Sequence, residues 1–195
     1  MLISWGADNW KYGLVGACDG GHIEIVKMMI EKIQYFNSSL FINYLRCGLA
    51  AACKNRKIHC VKYILEIAVT HNVKNHRFVL NGLYYACWGG DIDLIKLMSS
   101  DNYNLSPDLF AVACLGDSII AIEYVMKKIL ATTHLTLKNY EQAIDFTIRN
   151  NNLDSLKYVF NEMTKFGAIN TYNWDEGLII ACSNINFEMV SFIMG

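Results

Sequence analysis

Seven cysteines, five histidines and 18 acidic residues are the side chains of this 195-residue sequence that could hold a metal, close disulfides or move protons. A zinc site needs three or four such ligands converging on one point. The nearest approach is His71 and His76 in HNVKNH, with His59-Cys60 one helix away and no further ligand beside them. That stretch is expected to be a polar surface loop. The paired acids Asp91 and Asp93 suit an N-cap and a first-turn charge better than acid–base work. His22 comes after a Gly-Gly turn, where its expected part is to close the turn by bonding to neighbouring repeat backbone. No P-loop, GxGxxG, HExxH or GxSxG occurs. The expectation is a non-enzyme with no catalytic residues, cofactor or metal.

The cysteines have a different logic. Five of them, Cys18, Cys53, Cys87, Cys114 and Cys182, occupy one position of a repeated unit, best seen in Gly13–Ile30 (GLVGACDGGHIEIVKMMI). Leu14, Ala17 and Cys18 fall on one face of a first helix. Gly20-Gly21 forms a turn, and Ile23, Val26, Met29 and Ile30 form the apolar stripe of a second helix. Ala17 recurs as Ala52, Ala86, Ala113, Thr147 and Ala181, and Val26 as Val61, Ile95, Ile122, Leu156 and Val190. The turn position of Gly20 recurs as Asn55, Gly89, Gly116, Asn150 and Asn184, all residues that enter the left-handed region at low cost. The spacing predicts that these positions themselves take positive φ. Packed helices lie about 8–10 Å apart, too far for disulfides between equivalent cysteines. All seven thiols are therefore expected to be free, as small hydrophobes of a reducing compartment.

Successive Ala17-type positions are separated by 35, 34, 27, 34 and 34 residues. The long steps carry helix-compatible residues such as SLFINYLRCGLAAAC, so their first helices should begin about two turns earlier. The resulting organisation is a single array over 1–195, with a partial repeat at 1–9 and repeats near 10–36, 38–70, 78–100, 107–131, 138–165 and 173–195. Pro107 falls where a short connector enters a helix, a position that tolerates its missing N–H.

Composition removes several function classes. With 17 basic and 18 acidic residues the net charge is −1, which gives no electrostatic basis for binding nucleic acid. No apolar run reaches the ~20 residues that span a bilayer, and Met1-Leu2-Ile3 lacks a secretory signal's basic flank. Hydrophobic residues make up 53%, as suits helices buried on two sides between neighbouring repeats.

The phrase AxxGGHIEIVKMMI resembles the ankyrin signature: a small-residue helix, a Gly turn, a His, and an acidic-aliphatic-Val-Lys second helix. With MLISWGAD, Asn9-Trp10 and Tyr12-Gly13 added, it resembles the shorter, divergent ankyrin-type repeats of large cytoplasmic DNA viruses, namely giant viruses and the asfarvirus multigene families. Tyr12-Gly13-Leu14-Val15 replaces the usual Thr-Pro-Leu-His opening, and the hairpin fingers are not recognisable. The resemblance implies an all-α, ankyrin-like solenoid of about six helix-turn-helix repeats with fingers reduced or absent. It also implies a cytoplasmic protein-protein interaction scaffold acting on a host protein in host range or innate-immune interference. In such a fold the first helices would build a concave wall. Tyr85, Trp88, Leu115, Phe146 and Arg149 would be its binding residues, because aromatic residues and Arg carry much of the energy of protein interfaces. The competing expectation is that longer first helices bury these side chains as core. The alternative function is a structural or degenerate array that self-associates through uncapped ends.

Overall fold

The computed structural model describes residues 9–36, 38–73, 76–99, 105–167 and 169–195; the opening MLISWGAD therefore lies outside the described residues. Among them the chain is all-α, with twelve helices and no strand. In order these are α1 (Trp10–Gly20), α2 (Ile23–Phe36), α3 (Phe41–Lys54), α4 (Ile58–Thr70), α5 (His76–Gly89) and α6 (Ile92–Met98). Then come α7 (Asp108–Ala113), α8 (Ile119–Leu130), α9 (Leu137–Arg149), α10 (Leu153–Lys165), α11 (Trp174–Ser183) and α12 (Phe187–Met194). Of the first helices reached by long steps, α3 and α5 have 14 residues and α9 has 13, against 6 for α7 after the short step; α11, also reached by a long step, has only 10, so the expected early start fails there. Pro107 is the N-cap residue of α7, with a helical φ of −51°. His76 opens α5 instead of lying in a loop. His71 is exposed just past α4, its ring edge-on to Phe41 at 4.9 Å.

The chain forms two compact units, Met1–Ala86 and Cys87–Gly195, divided within α5. In the first, α3 packs on α1 and α4 on α2; in the second, α9 packs on α7 and α11 on α9, while α8 packs on α6 and α10 on α8. First helices thus lie against first helices, and second against second. The apolar register drives this. Leu14, Leu49, Leu83, Phe110 and Ile144 are fully buried, as are Val26, Val61, Ile95, Ile122 and Leu156. Each such side chain contributes about 2 kcal/mol on burial. Thr147, the one polar residue at the alanine register, is buried with its hydroxyl donating to the Ile144 carbonyl at 2.8 Å. Small residues let neighbouring first helices approach. A Cβ on Gly48 would sit 3.1 Å from Cys18 Sγ, and one on Gly177 would sit 2.9 Å from Ile148 Cδ1.

The turns correct the expected backbone by one residue. Positive φ falls on Gly21, Arg56, Gly90, Asn151 and Ile185, each one residue past the predicted position. Asn55, Asn150 and Asn184 cap their helices at negative φ. The reason is hydrogen bonding. In four pairs the alanine-register carbonyl accepts from the residue five on: His22 to Ala17, Lys57 to Ala52, Asn152 to Thr147 and Asn186 to Ala181. The left-handed residue bonds to the carbonyl three back, which completes a Schellman ending; it follows the caps Asn55, Asn150 and Asn184, and at α1 it is the cap Gly21 itself. His22 closes its turn through its backbone N–H; its exposed ring lies against Gly20. After α7 the chain bends differently, with Leu115 and Gly116 bonding to the carbonyls three back, and no left-handed residue occurs there. Asp91, Ser118, Asn152 and Asn186 then cap the second helices, Asp91 accepting from Asp93 N at 2.9 Å and Leu94 N at 3.1 Å.

Candidate protein-interaction site

In the second unit the turns between paired helices are tied to one another. A Cβ on Gly116 would stand 2.7 Å from the Trp88 carbonyl oxygen, so backbone passes against backbone and only glycine fits. The Gly116 carbonyl accepts from Asn152 Nδ2 and from Ser155 Oγ at 3.3 Å. Asn184 Nδ2 donates to the Ile148 carbonyl at 3.0 Å, and Asn186 Nδ2 to Asn151 Oδ1. Each asparagine therefore serves its own turn and the one before it, at separations of 35–36 residues. In the first unit Asn55 Nδ2 donates to Asp19 Oδ1 in the same way.

An open cavity of about 580 Å³ runs along these tied turns. Trp88 and Leu115, both half-buried, form its apolar wall; Asp117, Asn151, Asp154, Lys157 and Glu188 supply its polar side. Three carboxylates against one lysine make it acidic. The unit around it carries 13 acidic and 7 basic residues, whereas Met1–Ala86 carries 5 acidic and 10 basic. The near-neutral whole chain is thus a sum of two oppositely charged units.

Of the five residues expected to bind, Trp88 and Leu115 share this cavity, and Phe146 and Arg149 stand outside its lining. Phe146 is half-buried. Arg149 is exposed, with Nη2 3.6 Å from Glu176 Oε1, a surface pair of small energetic worth. Tyr85, in the first unit, is half-buried and edge-on to Tyr84 at 5.3 Å. Val112, in the same register, is buried as core. The register is neither an open wall nor a sealed core: its aromatic residues rest on the surface with one side covered.

Burial also decides what the nucleophilic side chains can do. The thiols of Cys18 and Cys87 are pushed up to about 12 by burial, and that of Cys114 is raised further by the same cause. Desolvation, with Glu162 nearby, raises the phenols of Tyr140 and Tyr158 to about 12. Tyr172 is raised by burial and by donating to Asp145 Oδ1 at 2.6 Å. All these groups keep their protons at neutral pH, the opposite of activation. Among the described residues no group of three or more His, Cys, Asp or Glu could hold a metal ion, and no helix is long and apolar enough to cross a membrane.

Sequence pattern alone does not single out the polar residues of the cavity. Their signal lies in the Asn150-Asn151-Asn152 run and in the acids at the second position of α10 and α12, Asp154 and Glu188. No protein-family model, curated protein or solved structure matches the chain.

Proposed function

We propose that the helix pairs are ankyrin-like solenoid repeats with reduced fingers, and that the chain is a non-enzymatic scaffold that binds another protein. The observation carrying this reading is the acidic cavity walled by Trp88 and Leu115. It offers an aromatic surface of the kind that anchors interfaces, ringed by carboxylates that select a basic partner segment. The stacking of first on first and second on second helices, and the recurring Schellman turns, support the repeat assignment. The protonated state of the buried thiols and phenols supports the non-enzymatic one. The resemblance to viral repeats makes the partner a host protein and the cytoplasm the place of action.

Affinity capture from host cytosol, with partners identified by mass spectrometry, tests the proposal when run beside an Asp154→Lys, Glu188→Lys variant. Both positions are exposed, so the fold should be unaffected. A discrete partner held by the parent at low salt and lost by the variant is the expected result. Equal capture by both proteins contradicts the assignment of the cavity.

A further inference from the structure

The Trp88 cavity takes its three carboxylates one from each of three successive helix pairs: Asp117 from α7–α8, Asp154 from α9–α10 and Glu188 from α11–α12. Asp154 and Glu188 hold the same position of the repeat, two residues past the capping asparagines Asn152 and Asn186. Asp154 is exposed although a helix pair packs on either side of its own, so this register faces solvent inside the array. The helices that carry the two acids are neighbours. Phe160 of α10 packs on Phe192 of α12 at 5.3 Å, and Asn186 Nδ2 donates to Asn151 Oδ1. Packed helices stand about 8–10 Å apart, which sets the step from one carboxylate to the next.

That step selects the conformation of what binds. Along a β-strand, side chains on one face recur every two residues, about 7 Å, or every four, about 13 Å, and neither matches. In a polyproline II segment every third side chain returns to the same side after about 9 Å, which does match. The rest of the lining suits such a segment. Trp88 and Leu115 offer an aromatic and aliphatic wall of the kind on which proline rings dock. Polyproline II makes no internal hydrogen bonds, so its carbonyls are open to side-chain amides. Asn150, in the same lining, gives one amide N–H to the Phe146 carbonyl and has a second. A basic helix could cover the step only with cations seven residues apart, and its backbone is already bonded internally.

We infer that the cavity takes a proline-rich segment of the partner in polyproline II conformation, with Lys or Arg at every third residue. This rests on the reading of the cavity as a site for a basic partner and says which basic segment fits. Successive cations meet Asp154 and Glu188, and the prolines beside them meet Trp88 and Leu115. Lys157, in the same lining, opposes the cations.

Three synthetic peptides of one composition test this by calorimetry with the full chain at low salt. One is Pro-Pro-Arg-Pro-Pro-Arg-Pro, with its arginines three apart; the others place them two or four apart. The spacing of three should bind about tenfold more tightly than either alternative. Glu188→Gln should abolish that preference with the helical circular dichroism unchanged, whereas a carboxylate serving only its own helix dipole would leave it intact. Lys157→Gln should tighten all three peptides. An alanine-rich helical peptide with arginines seven apart should bind more weakly than the spacing of three. Equal binding at all spacings, a preference that survives Glu188→Gln, tighter binding of the helix, or no binding by any peptide would overturn the inference. After any of these the acidic cavity still stands if Asp154→Lys, Glu188→Lys loses the partner captured from cytosol; if it does not, that reading has failed too.

Discussion

The turns at 150–152 and 184–186 have nearly the same backbone and opposite surroundings. Each ends a first helix at an asparagine, passes through a left-handed residue, and starts a second helix with an asparagine that accepts from the N–H three residues on. Each sends an asparagine amide back to the preceding turn. Yet Ile148, two residues before the first turn, is fully buried, whereas Cys182, two residues before the second, is exposed. Local hydrogen bonding therefore sets the shape of a helix pair, and the next pair sets its burial. The same helix–turn–helix pattern holds a buried residue at Ile148 and an exposed one at Cys182.

The largest expected effect is the pH response of the buried thiols. Below 9.0, the ordinary value, folded and unfolded thiols are both protonated. Above it the unfolded chain releases protons that Cys18 and Cys87 hold up to about 12 when folded. Stability should consequently fall as pH rises through that window, by about 1.4 kcal/mol per pH unit for each such thiol. Urea midpoints at successive alkaline pH values measure this. Cys87→Ala should flatten the slope.

Next in size is deletion at the register itself. Ile148→Ala should cost about 2–4 kcal/mol, since a cavity opens beneath Gly177. Cys182→Ala should stay within about 0.5 kcal/mol, as surface changes do. Equal costs would erase the contrast between the two pairs. Gly116→Ala should then cost about 1–3 kcal/mol, because its Cβ meets the Trp88 carbonyl oxygen, an atom that moves only with the backbone.

Smallest are the changes within the turns. Asn152→Ala removes a helix cap and a bond to the Gly116 carbonyl, for about 1 kcal/mol. Ile185→Asn should stabilise the fold by about 1 kcal/mol through relief of the left-handed residue. Thermal unfolding of the two variants side by side should show shifts of opposite sign.

Much of the helical architecture is legible in the sequence, because it rests on properties each residue carries with it. The spacing of Leu14, Ala17 and Cys18 announces a buried helical face, and the extra residues before Leu49 and Ile144 announce longer helices. The turns are legible to within one residue. Gly and Asn mark a helix end, but whether the left-handed residue is the cap or its successor depends on which carbonyl captures the next N–H. The site is less legible. Trp88 and Leu115 are visible as large residues in an outward register, whereas Asp154 and Glu188 join them only because the turns stack. The opposed charges of the two units are hidden by their sum. Nothing local distinguishes Cys182 from Cys114, since the difference lies in whether another helix pair packs over the thiol.

Thiol labelling under native conditions tests that packing most directly. The five register cysteines would be modified with maleimide in the folded chain and their rates resolved by peptide mass spectrometry. Cys182 should react fast, and Cys18, Cys53, Cys87 and Cys114 only at the rate of opening of their helix pairs. A Cys182 as slow as Cys114, or buried cysteines as fast as Cys182, would contradict the helix packing on which the site rests.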